Sequence, residues 1–250
     1  MKYKFIPVDN NIDKAIAFAN TLDANNIKNV QKIKQKPFYI PTLDAVEMLQ
    51  NDGWLIKGVA EQRAGSRKIK SNYVQMQHPD FSILDKKGQT EALASITISN
   101  STSGNNPLSL HLGAFRLVCS NGAVMKDTAA ESNIKHTEIN YKQLPELIAK
   151  LNNKAMILSD VISNMKNIQL SSDDIKKFAF EAARLRFDDL TDVNVNSVFK
   201  VNRIEDESND LWTVFNRIQE NLTADISNFS NDIKLNQQLF SLADQYALAV

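Results

Sequence analysis

The sequence predicts an α+β fold: an antiparallel β-meander packed on a helix, followed by a helical C-terminal region. Three observations predict it. Between Trp54 and Cys119, short apolar or alternating runs are separated by polar, turn-forming segments. One apolar stripe at helical spacing, starting at Thr42, precedes those runs. Beyond Glu131 apolar residues again recur at helical spacing. The expected division is a sheet region over residues 1–130 and a mainly helical region over 131–250, packed together as one unit.

Each element follows from local chemistry. The first 36 residues or so read as a short strand and then a helix, with Ile12, Ala15, Ile16, Ala19 and Leu22 on one face. A lysine-rich stretch follows (Lys28, Lys32, Lys34, Lys36), and Pro37 stops any helix there. Thr42 is the expected N-cap of the next helix, and Gly53 suits the left-handed turn after it. Trp54–Ala60, Tyr73–His78, Glu91–Ser99 and Leu108–Cys119 read as strands. His78-Pro79-Asp80 reads as a turn held by Asp80, and Ser120-Asn121-Gly122 as a tight turn. Later helices are expected over Leu144–Met165, from Ser171-Ser172-Asp173-Asp174, from Asn209-Asp210, and over Ile233–Ala247, with a loop near Asp192–Val201.

Composition narrows the class. No apolar run approaches the ~20 residues that cross a bilayer, and no apolar stretch follows Lys2 and Lys4 as a secretory signal would require. Cys119 is the only cysteine, so no internal disulfide forms and a reducing compartment is expected. Formal charge is zero overall but uneven: Met1–Lys70 holds 12 Lys/Arg against 7 Asp/Glu, and Glu131–Val250 holds 13 against 18. Such asymmetry either places one sign of field at a polyanion-binding face or reflects chance scatter.

Familiar catalytic signatures are missing. Three scattered histidines (His78, His111, His136) and one cysteine do not make a zinc set. Neither GxGxxG, GxxxxGK[ST] nor GxSxG occurs. Cys119 ends an apolar run, as an inert buried thiol does. Glu205, Asp206, Glu207 and Asp210, joined in space by Asp188 and Asp189, are the one combination that suggests a divalent ion; a solvated acidic loop with charges at a helix N-terminus is the plainer reading. The basic cluster Arg63, Arg67, Lys68 and Lys70 lies between Trp54 and Tyr73. It reads either as phosphate contacts flanked by stacking aromatics or as a solvated hairpin tip beside two core aromatics. Arg116, inside an apolar strand, demands a carboxylate or carbonyl partner in the fold unless it sits on a functional face.

Phe115-Arg116-Leu117-Val118-Cys119-Ser120-Asn121-Gly122 resembles a phage- and plasmid-carried family catalogued as a domain of unknown function. The shared mark is an arginine, an apolar pair, then Cys-Thr/Ser-Asn-Gly. Asn209-Asp210-Leu211-Trp212 through Glu220 is similar to a late helix of the same family, although Gln219 stands where members often carry Thr. The likeness runs from about Phe38 to Asn221. It implies a mobile-element origin and no established activity. The order helix, Trp-led strand, basic meander also resembles the core of single-strand annealing recombinases, which bind DNA backbone as oligomeric rings without ATP.

Together these readings lead to a non-enzymatic DNA-binding protein of a phage or plasmid, acting in the bacterial cytoplasm without a cofactor. Arg63, Arg67, Lys68, Lys70 and Arg116 are the candidate contacts; Trp54 joins them if it stacks a base, but its expected place is the core. The expected partners are single- or double-stranded DNA and further copies of the chain, with no membrane. The rival is an anti-defence or regulatory factor that binds a host or phage protein. A further alternative is a metal-dependent nuclease built on Asp188, Asp189, Glu205 and Asp206.

Overall fold

Strict alternation of side chains between two environments organises the centre of the chain. The computed structural model describes residues 5–18, 38–64, 69–85, 87–101, 104, 106–117, 122–124, 131–226 and 228–248. Seven strands form one antiparallel sheet: β1 (Ile6–Pro7), β2 (Leu55–Ala64), β3 (Ile69–Leu84), β4 (Thr90–Ser101), β5 (Leu108–Arg116), β6 (Gly122–Val124) and β7 (Glu131–Ile134). The order runs β1 to β6, and β7 also pairs with β5. The helices are α1 (Ile12–Phe18), α2 (Thr42–Asn51), α3 (Glu138–Asn167), α4 (Ser172–Arg186), α5 (Val195–Val198), α6 (Leu211–Thr223) and α7 (Phe229–Leu248). A 3-10 turn spans Ile204–Asp206. The architecture is α+β, with five of the seven helices among the described residues following the last strand.

One face of the sheet is apolar. The register aligns Met76 with Ile96 and Leu112, and Val74 with Ile98 and Leu110. All six are fully buried. α3 crosses this face over β3, β4 and β5, presenting Leu144, Ile148, Leu151, Ala155, Leu158, Ile162 and Met165. These recur at alternating steps of four and three, the spacing that keeps one stripe on one side of a helix. Burying each large aliphatic side chain stabilises by ~1.5–3 kcal/mol. α2 packs beside α3, on β2 and β4.

Several local readings change in the structure. Thr42 is the first residue of α2 and Pro41 its N-cap; the Thr42 hydroxyl instead donates to Asn72 Oδ1 at 3.1 Å. Gly53 does end α2 at φ +92°. His78-Pro79-Asp80 is not a turn: β3 continues through it, with Pro79 where pairing to β4 lapses between Gln77 and Ser82. A residue without an N–H costs least at such a gap. His78, not Asp80, holds the chain: its Nδ1 accepts from the Asp80 N–H (3.2 Å), leaving Nε2 to donate to the Asp52 carbonyl (3.0 Å). The region read as loop near Asp192–Val201 contains α5.

The C-terminal helices start where side chains cap them. Ser171 and Asp174 form a reciprocal capping box on α4, and Asp210 caps α6 by accepting from the Thr213 N–H at 2.9 Å. α6 is the centre of this layer: 11 of its 13 residues are buried, and α3, α4, α5 and α7 all touch it. Trp212 stacks on Phe215 (5.7 Å), and Phe215 meets Phe240 of α7 edge-on. No helix among the described residues is long and apolar enough to cross a membrane.

Candidate functional site

Alternation along β5 turns Arg116 toward the apolar, helix-covered face, where an isolated guanidinium would be strongly destabilising. Arg116 is 3% exposed. Its Nε donates to Glu91 Oε1 at 3.0 Å, and its Nη1 donates to Asp206 Oδ1. Glu91 lies in β4 and Asp206 in the 3-10 turn before α6, so the arginine joins the sheet to the helical layer. The burial argument for an internal carboxylate partner therefore holds, and the guanidinium is not presented to solvent.

The cluster extends on both sides. Glu91 Oε1 also accepts from Trp212 Nε1 at 3.0 Å, and Glu91 Oε2 pairs with Lys166 Nζ at 2.5 Å. Lys166 further donates to the Leu84 carbonyl at 2.7 Å. Asp206 Oδ2 accepts from Arg203 at 3.0 Å, and Arg203 pairs with Glu220 of α6. Three cations thus face three carboxylates with little water, and such networks hold only when each member is paired. Arg217 stands apart on the next turn of α6. It is buried, reaches Asn209 Oδ1 at 3.5 Å, and has its pKa lowered by burial against the opposing pull of Asp206 and Asp210.

An open pocket of about 420 Å³ lies over this cluster. Its walls include the cations Lys87, Arg116 and Lys166 and the carboxylates Glu91, Glu205 and Asp210. Arg116 and Lys166 already pair with Glu91, Asp210 serves Ser208 and Thr213, and the mixture selects neither an anion nor a cation. The arrangement serves as a clamp between two layers.

The sequence candidates fall into separate places. Arg63 and Lys70 occupy directly opposed positions on β2 and β3. Arg67 and Lys68, in the connection between them, lie outside the described residues, as do the side chains of Arg63 and Lys70. Trp54 is not available for stacking: it is fully buried, donates Nε1–H to Asn152 Oδ1 at 2.8 Å, and meets His78 edge-on. Asp188, Asp189, Glu205 and Asp206 form no metal cluster, and no group of three or more metal-ligating side chains occurs among the described residues. Asp206 is taken by arginines, and Asp189 accepts the Thr191 N–H and hydroxyl. His136 Nδ1 accepts from the Ile40 N–H at 3.1 Å and so anchors the chain before α2. Cys119 and the Ser120-Asn121 turn lie outside the described residues.

Trp212 reaches the sheet through Glu91. Asn216 donates to the Trp212 carbonyl of its own helix at 2.7 Å. Gln219 donates to Asn236 of α7. Sequence reasoning missed Glu91, Lys166, Arg203 and Glu220. Their one signal was indirect: Arg116 required a carboxylate, and nothing local showed which.

Fold and site define an α+β protein whose meander and helical layer are locked by a buried ion-pair cluster. Residues 35–240 match the family described as "Domain of unknown function (DUF932)", and the chain belongs to it. It is similar to "UPF0380 protein YfjQ" of Escherichia coli (strain K12), 26% identical over 225 residues, covering 82% of this chain and 81% of the relative. It is also similar to "UPF0380 protein YafZ" of the same strain, 25% identical over 228 residues with the same coverage. No solved structure matches it.

Proposed function

We propose that this protein is a non-enzymatic nucleic-acid-binding protein of a phage or plasmid. It binds single-stranded DNA in the bacterial cytoplasm, in replication or recombination, and acts as an oligomer. The observation that carries the reading is the β2–β3 register. It sets Arg63 directly opposite Lys70, with Arg67 and Lys68 in the four-residue connection between the strands. Like charges at opposed strand positions destabilise a hairpin. A polyphosphate at that end offsets the repulsion and releases counterions. The resemblance of Arg116 through Gly122 to a mobile-element family supports the genetic setting.

Arg116 has no part in contact, because its guanidinium is committed inside the clamp. The rival, in which an acidic C-terminal half binds a protein, loses some of its basis: Asp206 and Glu220 are engaged with arginines of the fold. The test is binding of single- and double-stranded oligonucleotides across a salt series. Each hairpin cation removed should flatten the log–log salt dependence by ~0.7–0.9 units. Replacing Arg63, Arg67, Lys68 and Lys70 together should abolish binding with the thermal midpoint kept. Unchanged affinity in that variant, or no affinity in the wild type at low salt, refutes the proposal and turns attention to protein partners.

A further inference from the structure

The end of the sheet that holds the clamp also carries uncovered apolar side chains. Leu84 closes β3 opposite Thr90 of β4, and the Leu117 N–H donates to the Glu91 carbonyl of the same strand. The two leucines therefore flank β4 from either side, two strand spacings (~10 Å) apart. Ile204 lies in the 3-10 turn whose Asp206 reaches Arg116, the residue before Leu117. Leu84 and Leu117 are each 51% exposed and Ile204 81%. Single apolar residues are ordinary on a surface, whereas several gathered at one place mark contact with another protein.

Charge says which protein. The pocket at this end is walled by two segments, the β3–β4 turn and the stretch from the 3-10 turn to α6. Asp85 spends Oδ1 on the Lys87 and Gln89 N–H groups of its own turn, and Asp210 caps α6. That leaves Lys87 on the first segment and Glu205 on the second. Both are exposed, and neither makes an ion pair among the described residues. A twofold rotation about an axis through the pocket exchanges the two segments. It sets Lys87 of one copy against Glu205 of the other, and Glu205 against Lys87. Such a patch is complementary to itself. Formal net charge is zero, so no overall repulsion keeps two copies apart.

We propose that this end of the protein is a self-association surface whose partner is a second copy of the chain, paired about a twofold axis. Leu84, Leu117 and Ile204 supply its apolar contact, and two reciprocal Lys87–Glu205 pairs fix its register. The patch draws on both the sheet and the helical layer, so it keeps its shape only if the two are held at one relative position. The buried clamp behind it does that, through Arg116 and Asp206. The inference rests on the oligomer proposed above and gives it an interface; it is independent of what the hairpin binds.

The test measures the mass of the full chain in solution by light scattering across a dilution series. The wild type should be a dimer. Lys87→Glu or Glu205→Lys brings like charges together twice per dimer and should weaken association at least ~100-fold. Lys87→Glu/Glu205→Lys restores both pairs in reverse and should return the dissociation constant to within ~10-fold of the wild type. Ile204→Glu should leave a monomer. All three positions are exposed, so every variant should keep the wild-type far-ultraviolet circular dichroism. Single reversals that leave the mass unchanged, or a double reversal no better than either single one, overturn the interface and leave the oligomer reading standing. A wild type that is monomeric overturns both.

Discussion

Asp206→Ala removes a carboxylate that receives both Arg116 and Arg203. Asp206 is 1% exposed and Arg116 3%, so no water can replace the lost partner cheaply. Arg116 keeps Glu91, but Glu91 must also serve Lys166 and Trp212. Breaking a buried pair from one side costs ~3–5 kcal/mol, because the stranded charge stays desolvated. A domain of this size loses ~2–4 °C in midpoint per kcal/mol, which places the expected fall at roughly 6–20 °C. Urea unfolding reads the free energy directly. Arg116→Met in the Asp206→Leu background removes the stranded charge and should recover most of the loss. Two results would refute the reasoning: Asp206→Ala within ~0.5 kcal/mol of wild type, the range of surface substitutions, or a double variant no better than the single one.

Three further outcomes are expected. Trp54→Ala should lose ~3–5 kcal/mol of stability in urea unfolding and leave any oligonucleotide affinity unchanged, since Trp54 is core. Gly53→Ala should cost ~1–2 kcal/mol for a positive φ plus the clash of a Cβ built 2.8 Å from His78 Nε2; His78→Ala added to it should recover the clash but not the backbone share, as thermal melts would show. Acidification should destabilise the fold through Glu138, Glu146 and Asp174, whose pKa values are lowered chiefly by hydrogen bonds from Lys142, Lys150 and Ser171. Groups depressed on folding stabilise above the ordinary carboxylate pKa, and that share is lost as pH falls through the folded value. Ser171→Ala should raise the Asp174 pKa toward its ordinary value in an NMR titration, with the residue-171 N–H and Lys177 keeping part of the depression.

What the sequence made legible was what local spacing controls. Short apolar or alternating runs announced β2 to β5, and Ser171 and Asp210 announced their helices because a cap acts within three residues. Burial physics also foresaw the kind of partner Arg116 needs. It could not name Glu91 or Asp206, which stand 25 and 90 residues away, because pairing at that distance is set by how layers close. Trp54 was expected in the core and lies there, but its partner was hidden for a related reason: an aromatic beside basic residues reads the same whether it faces DNA or Asn152. Cross-strand neighbours were equally hidden: only the register sets Gln75 beside Thr97 and Tyr73 beside Ser99.

The clamp also fixes when the protein can become whole. The β2–β5 meander joins neighbours in sequence, so it can form while the rest of the chain is still being synthesised. Glu91 waits 121 residues for Trp212, and Arg116 waits 90 for Asp206. Until α6 leaves the ribosome, the emerging sheet has its Arg116–Glu91 pair and an uncovered end. At ~5–20 residues per second that interval lasts several seconds, during which the nascent sheet stands open to chaperones and to other nascent copies. Stalled chains ending before Asp206 should therefore be chaperone-bound and protease-sensitive, and chains that expose all of α6 should be released and resistant.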